Sequence, residues 1–139
     1  MWYPLPAHSV IKLIIAGGRD FKNRELLFGT VELFCRTFKR PDFVVCGMAD
    51  GADLLGKEWA DNSGVTVIEL PAAWRSDGVY NNLAGLQRNT VMANVGTHLI
   101  AFWDGKSTGT ADMIKKARAR GLIVKVIYYN RPKPKKTLF

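Results

Sequence analysis

The sequence predicts an α/β fold, because five short apolar runs rich in β-branched or aromatic residues alternate with helix-like segments. Two of those runs lead straight into glycine-bearing strings, and each string is followed by a helical stretch. Strands separated by helices in this way form a parallel sheet covered on both faces.

The first strand is expected over Val10 to Ala16, and the first helix over Arg24 to Phe38, where Leu26, Leu27, Val31, Phe34 and Phe38 recur at three- and four-residue spacing. A second strand over Phe43 to Cys46 leads into a helix over Ala52 to Asn62. Gly64 ends that helix before a third strand over Val65 to Leu70, and Gly121 does the same for the last helix. From Pro71 through about Ala84 the chain shows neither period. That stretch carries Trp74, Arg75, Asp77, Gly78, Tyr80, Asn81 and Asn82, a mixture suited to a flap over a ligand, with an ordered packing loop as the alternative. A helix over Leu86 to Asn94, a strand over Thr97 to Trp103, a helix over Thr110 to Arg120 and a strand over Leu122 to Tyr129 complete the pattern.

Right-handed crossovers and short connections then favour a single Rossmann-like three-layer domain with a five-stranded parallel sheet in the order 3-2-1-4-5. Strands one and four are neighbours in that order. The two glycine-bearing strings therefore lie side by side at the crevice where the strand order reverses. Residues 1–130 are assigned to this domain and residues 131–139 to a flexible basic tail.

The chain has 139 residues, 47% of them hydrophobic and 23% charged, and no apolar run approaches the ~20 residues that cross a bilayer. A membrane partner is not expected. The N-terminal stretch lacks the charged start and long apolar core of a secretory signal, so a cytoplasmic location is expected. Cys35 and Cys46 show no Cys-x-x-Cys spacing and read as reduced core thiols, while His8 and His98 are too isolated to suggest a metal site. Of the formal charge of +8, four units come from Arg131, Lys133, Lys135 and Lys136 in the proline-interrupted tail.

The strings themselves suggest a nucleotide. Gly17, Gly18, Gly105 and Gly109 would let backbone approach phosphate oxygens, with hydroxyls from Ser107, Thr108 and Thr110 at a helix start, the alternative being tight turns with a capping Ser or Thr. Arg19 and Arg88 are candidates for the phosphate or its ribose, since a guanidinium is a planar fork for paired oxygens. Arg19 has the alternative of a structural ion pair with Asp20 or Asp53. Asn89 is a candidate reader of a base edge or a cap of its turn, and Trp103 either stacks on a base or belongs to the core. Asp53 follows the loop Gly47 to Gly51 and reads first as a carboxylate in the opening turn of a helix. Asp104, at the end of the fourth strand, is placed to accept ribose hydroxyls, hold a cation through phosphate, or act as a base.

The strings Gly17-Gly18-Arg19-Asp20-Phe21, Gly51-Ala52-Asp53, Ala84-Gly85-x-x-Arg88-Asn89-x-x-Met92 and Ala101-Phe102-Trp103-Asp104-Gly105-Lys106-Ser107-x-Gly109-Thr110-x-x-Met113-Ile114 resemble the YspA-type, YpsA-related branch of the SLOG (SMF/DprA-LOG) superfamily. The resemblance runs from about Ile11 to Val126. It implies a Rossmann-like fold and the binding of a nucleotide or nucleotide derivative, with Gly47 and Asp20 joining the ligand-binding positions. It also implies a homodimer, since superfamily relatives commonly pair through helices. Relatives include phosphoribohydrolases, which Arg88 resembles in its Arg-x-x-x-Met helix, and proteins that hold single-stranded DNA. Those hydrolases carry a glutamate three residues after the Gly-Thr threonine, where this chain has Met113. Asp112 is one residue earlier, about 100° away around a helix. Met48 departs from the family as well, standing where related sequences usually have glycine.

The leading expectation is a sensor or accessory module that binds a nucleotide or nucleotide derivative, with no further cofactor and no metal. A nucleotide hydrolase using Arg88, Asp104 and Asp112 is the alternative. Single-stranded nucleic-acid binding, drawn from the basic tail and from Lys115, Lys116, Arg118 and Arg120, is a further one.

Overall fold

A computed structural model describes residues 9–76 and 78–130. The expectations placed on His8, on Asp77 and on the 131–139 tail lie outside the described residues. The chain runs β1 (Lys12–Gly17), α1 (Arg24–Thr37), β2 (Phe43–Cys46), α2 (Ala52–Ser63), β3 (Thr66–Glu69), β4 (Arg75–Ser76), β5 (Val79–Tyr80), α3 (Ala84–Val95), β6 (His98–Trp103), α4 (Thr108–Ala119) and β7 (Ile123–Tyr128). The main sheet is ordered β3-β2-β1-β6-β7 with every pair parallel, which is the expected 3-2-1-4-5 order among its five strands.

The period of two in β1 divides the core between two layers. Leu13 and Ile15 pack on one face against Leu27, Val31 and Phe34 of α1 and Trp59 and Ala60 of α2. Ile14 and Ala16 pack on the other against Met92 and Ala93 of α3 and Met113, Ile114 and Ala117 of α4. Each fully buried aliphatic side chain of this kind contributes on the order of 1.5–3 kcal/mol. Asn23 caps α1 by accepting from the Leu26 amide, and Gly64 closes α2 with a left-handed φ of 69°.

Three of the departures from the expected boundaries have a local cause. β1 begins at Lys12 instead of Val10, because the Asp42 carboxylate accepts from the Ile11 amide at 2.8 Å and draws it out of the ladder. α4 begins at Thr108, two residues early, because Ser107 is its N-cap and accepts from the Thr110 amide. The long connection folds its middle into the antiparallel pair β4 and β5, a two-residue ladder too short to leave a period in the sequence. No helix among the described residues is long and apolar enough to cross a membrane.

Candidate functional site

The sheet order reverses between β1 and β6, and a cavity of about 570 Å³ opens at their carboxyl ends. That volume is within the range of small-molecule sites. Its walls come from the loop after β1, the loop between β6 and α4, the opening turns of α2, α3 and α4, and Trp74 and Asn82 of the long connection. The paired strings therefore do meet at one crevice. Of the expected site residues, Gly17, Gly18, Arg19, Asp20, Asp53, Arg88, Asn89, Asp104, Ser107, Gly109 and Thr110 line it. Gly47 lines a neighbouring cavity instead.

Close packing explains several glycines. Gly51 has φ +78°, and a Cβ there would collide with the Gly18 carbonyl that accepts from the Ala52 amide at 3.2 Å. A Cβ at Gly18 would collide with the Tyr129 hydroxyl, which donates to Asp20 Oδ1 at 2.6 Å. The Gly18 amide donates to the Phe102 carbonyl at 3.1 Å, and the Ala49 amide donates to Asp53 Oδ2 at 3.3 Å. Asp104 Oδ1 accepts the amides of Lys106 and Ser107, each at 2.8 Å. Of the glycines expected to turn backbone toward phosphate, Gly18 has its amide bound internally instead.

Several side-chain expectations need correction for the same reason. Asn89 is buried and spends both its N–H groups on Gly109 carbonyl and Asp112 Oδ2, each at 3.1 Å, and its oxygen accepts from Arg88 Nε. It fixes α3 to α4 and positions Arg88, and has no N–H left for a base edge. Asp112 pairs with Lys116 at 2.9 Å and faces Asn89 instead of the cavity, where the apolar Met113 stands. Trp103 donates its indole N–H to the Ser107 carbonyl and packs on Tyr128, so neither it nor Gly105 forms part of the cavity wall. Asp104 is held below the usual carboxylate range by the two amides it accepts, which suits an ionised acceptor better than a proton-abstracting base.

Arg19, Arg88 and Asp53 give the cavity its charge. Arg88 donates to the Gly47 carbonyl and to Asn89, and its Nη2 has no hydrogen-bond partner among the described residues. The Arg19 guanidinium lies 5.5 Å from the centre of the Trp74 ring and makes neither of the alternative ion pairs, to Asp20 or Asp53. Asp53 is 4% exposed, and burial pushes its carboxyl up to about 6 against the opposing pull of Arg88, the Ala49 and Gly17 amides and Arg19. A capping role was the first reading of Asp53; the structure puts it in the cavity wall. Nothing in its local sequence distinguishes the two, because the burial comes from α3 and the loop after β1.

Two aromatic rings stand at the rim. Trp74 and Tyr80 stack at 6.3 Å with an interplanar angle of 10°, and Arg75 lies 5.9 Å from the Tyr80 ring. Met48 holds a left-handed φ of 64°, the conformation for which glycine is suited. Cys46 is buried and its thiol is pushed up to about 11 by desolvation, as expected of a core thiol, whereas Cys35 is only half-buried.

The sheet order, the three layers and a cavity at the switch point define a Rossmann-like α/β fold. Residues 11–76 match the model of YAcAr, the YspA, cpYpsA-related SLOG family, the branch that the sequence resembles. The motifs on α3 and α4 lie beyond the matched segment. The structure is also similar to DNA processing protein A from Helicobacter pylori, solved in a study of its unique single-stranded DNA binding mode. The TM-score is 0.61 at 15% identity, over 86% of this chain and 66% of that one, so the chain spans just under two thirds of its length and the likeness is one of fold. No curated protein matches the sequence.

Proposed function

We propose that the protein binds a nucleotide or nucleotide derivative in the cavity between the loops after β1 and β6, acting as a sensor or accessory module. The observation that carries this reading is the pair Arg19 and Arg88, two guanidinium groups lining one cavity with no ion-paired carboxylate among the described residues. A guanidinium in this state is suited to a phosphate. The ring of Trp74 beside them offers a face for a base or sugar. Since Asp104 and Asp112 are tied to protein partners, the geometry favours binding over the alternative of hydrolysis, and Asp53 is the acid best placed for any proton transfer.

A thermal-shift screen against mononucleotides, dinucleotides, cyclic nucleotides and a short single strand tests this reading, with product followed in the same wells. Ligand at ~100 times its dissociation constant adds ~2.7 kcal/mol. A selective shift with intact ligand supports a binding module, and a shift with released base or phosphate supports an enzyme. No shift with any nucleotide contradicts both.

Single-stranded nucleic-acid binding is the second reading. The Trp74–Tyr80 stack flanked by Arg19 and Arg75 favours it, because bases stack on such platforms without sequence preference. It requires affinity that drops steeply with salt. The homodimer also belongs to this proposal, supported by exposed Leu83, Leu86 and Val91 at and on α3, and sedimentation at two concentrations tests it.

A further inference from the structure

Resting on the nucleotide reading, we propose that the ligand is a nucleoside diphosphate carrying a hydroxylated group on its terminal phosphate, and that a second cavity receives that group. The second cavity, of about 260 Å³, adjoins the first and shares Arg19, Ala49, Trp74 and Arg88 with it. Both guanidinium groups therefore stand at the junction of the two spaces. A single phosphate needs one such fork; the Arg19 guanidinium, which has no ion pair among the described residues, and the free Nη2 of Arg88 together match the charge and length of a diphosphate.

The chemistry of the second cavity differs from that of the first. Its remaining wall is the loop Gly47 to Asp50 with Pro71 and Ala72, so it offers backbone groups and one exposed carboxylate, Asp50, beside the Trp74 ring. Carboxylate and peptide groups hydrogen-bond hydroxyls, and an aromatic face packs on a sugar ring. No side chain there other than Trp74 is aromatic, which favours a sugar over a second base. Arg88 fixes the junction through its bond to the Gly47 carbonyl. A Cβ at Gly47 would lie 2.5 Å from Arg88 Nη1 and 2.7 Å from Asp53 Oδ2, so a larger residue there would displace the ends of both side chains.

Calorimetric titration with two series, AMP, ADP and ADP-glucose, then UMP, UDP and UDP-glucose, tests the proposal. In at least one series the affinity rises tenfold or more from the monophosphate to the diphosphate sugar. Ala72→Phe, which puts a ring into the second cavity, abolishes that gain and leaves the monophosphate affinity within twofold; Ala72→Leu serves if the larger variant does not fold. A diphosphate sugar that binds no better than its monophosphate overturns this proposal while the nucleotide reading stands, as does Ala72→Phe weakening both ligands equally. If neither monophosphate nor diphosphate sugar binds in either series, both readings are overturned.

Discussion

Asn89 on α3 donates a 3.1 Å hydrogen bond to the carbonyl of Gly109 on α4, joining the two helices that flank the cavity. The same amide reaches Asp112 and accepts from Arg88, so one buried side chain sets both the width of the crevice and the position of its cation. Replacing it with alanine leaves buried groups unpaired, at about 1–3 kcal/mol each. Asn89→Ala therefore destabilises by at least that range in urea titration, and binds nucleotide more weakly even where it is folded.

Gly109 and Gly51 respond differently to the same substitution. Nothing is within 4 Å of a Cβ at Gly109, which is already helical, so Gly109→Ala leaves stability unchanged or raises it by up to about 1 kcal/mol. Gly51→Ala forces a left-handed residue onto the Gly18 carbonyl and lowers stability by about 1–3 kcal/mol or more. Paired thermal melts read the difference. If Gly109→Ala also weakens nucleotide binding, the α4 loop approaches the ligand closely.

Asp53 makes stability fall as pH rises. Its folded carboxyl titrates at about 6, above its ordinary 3.8, so between those values the folded state holds a proton that the unfolded chain has released. Stability is lost across that window and is lowest above pH 6, by about 2–3 kcal/mol relative to an unshifted group. Asp53→Asn removes the penalty, so its urea midpoint gains on wild type at pH 7.5 more than at pH 4.5. An equal change at both values would contradict this account.

His98 has the opposite sign. It is 2% exposed at the start of β6, wedged edge-on against Phe34 and Phe38, and its Nε2 lacks a partner among the described residues. Burial lowers its pKa below 6.5, so the folded state favours the neutral ring. Its contribution is present above pH 6.5 and is lost as pH falls through 6.5 toward the folded value, by up to about 1.4 kcal/mol per unit. In His98→Leu this part of the acid sensitivity disappears from urea midpoints compared at pH 7.5 and 5.5.

Fold and site differ in how much of them the sequence carries. The strand order follows from alternation, glycine stops and handedness, all local or topological, and the layers follow from the period of two in β1. The crevice was legible for the same reason, since two strand ends adjacent in the sheet bring their loops together. The use of each polar group was not. Asn89 and Asp112 satisfy each other across 23 residues, and Tyr129 reaches Asp20 across 109, so neither pairing leaves a local pattern. Asp104 is different: the amides it binds are two and three residues on, an arrangement open to recognition as an Asx turn.

The most direct test of the central claim is calorimetric titration of the best mononucleotide from the screen into wild type, Arg88→Gln and Arg75→Gln. Arg75 serves as the control because it is exposed and lines neither cavity. Arg88→Gln, folded by circular dichroism, binds at least tenfold more weakly, a loss of ~1.4 kcal/mol, while Arg75→Gln stays within twofold of wild type. Equal affinity in the Arg88 variant, or no binding to wild type at millimolar nucleotide, would contradict it.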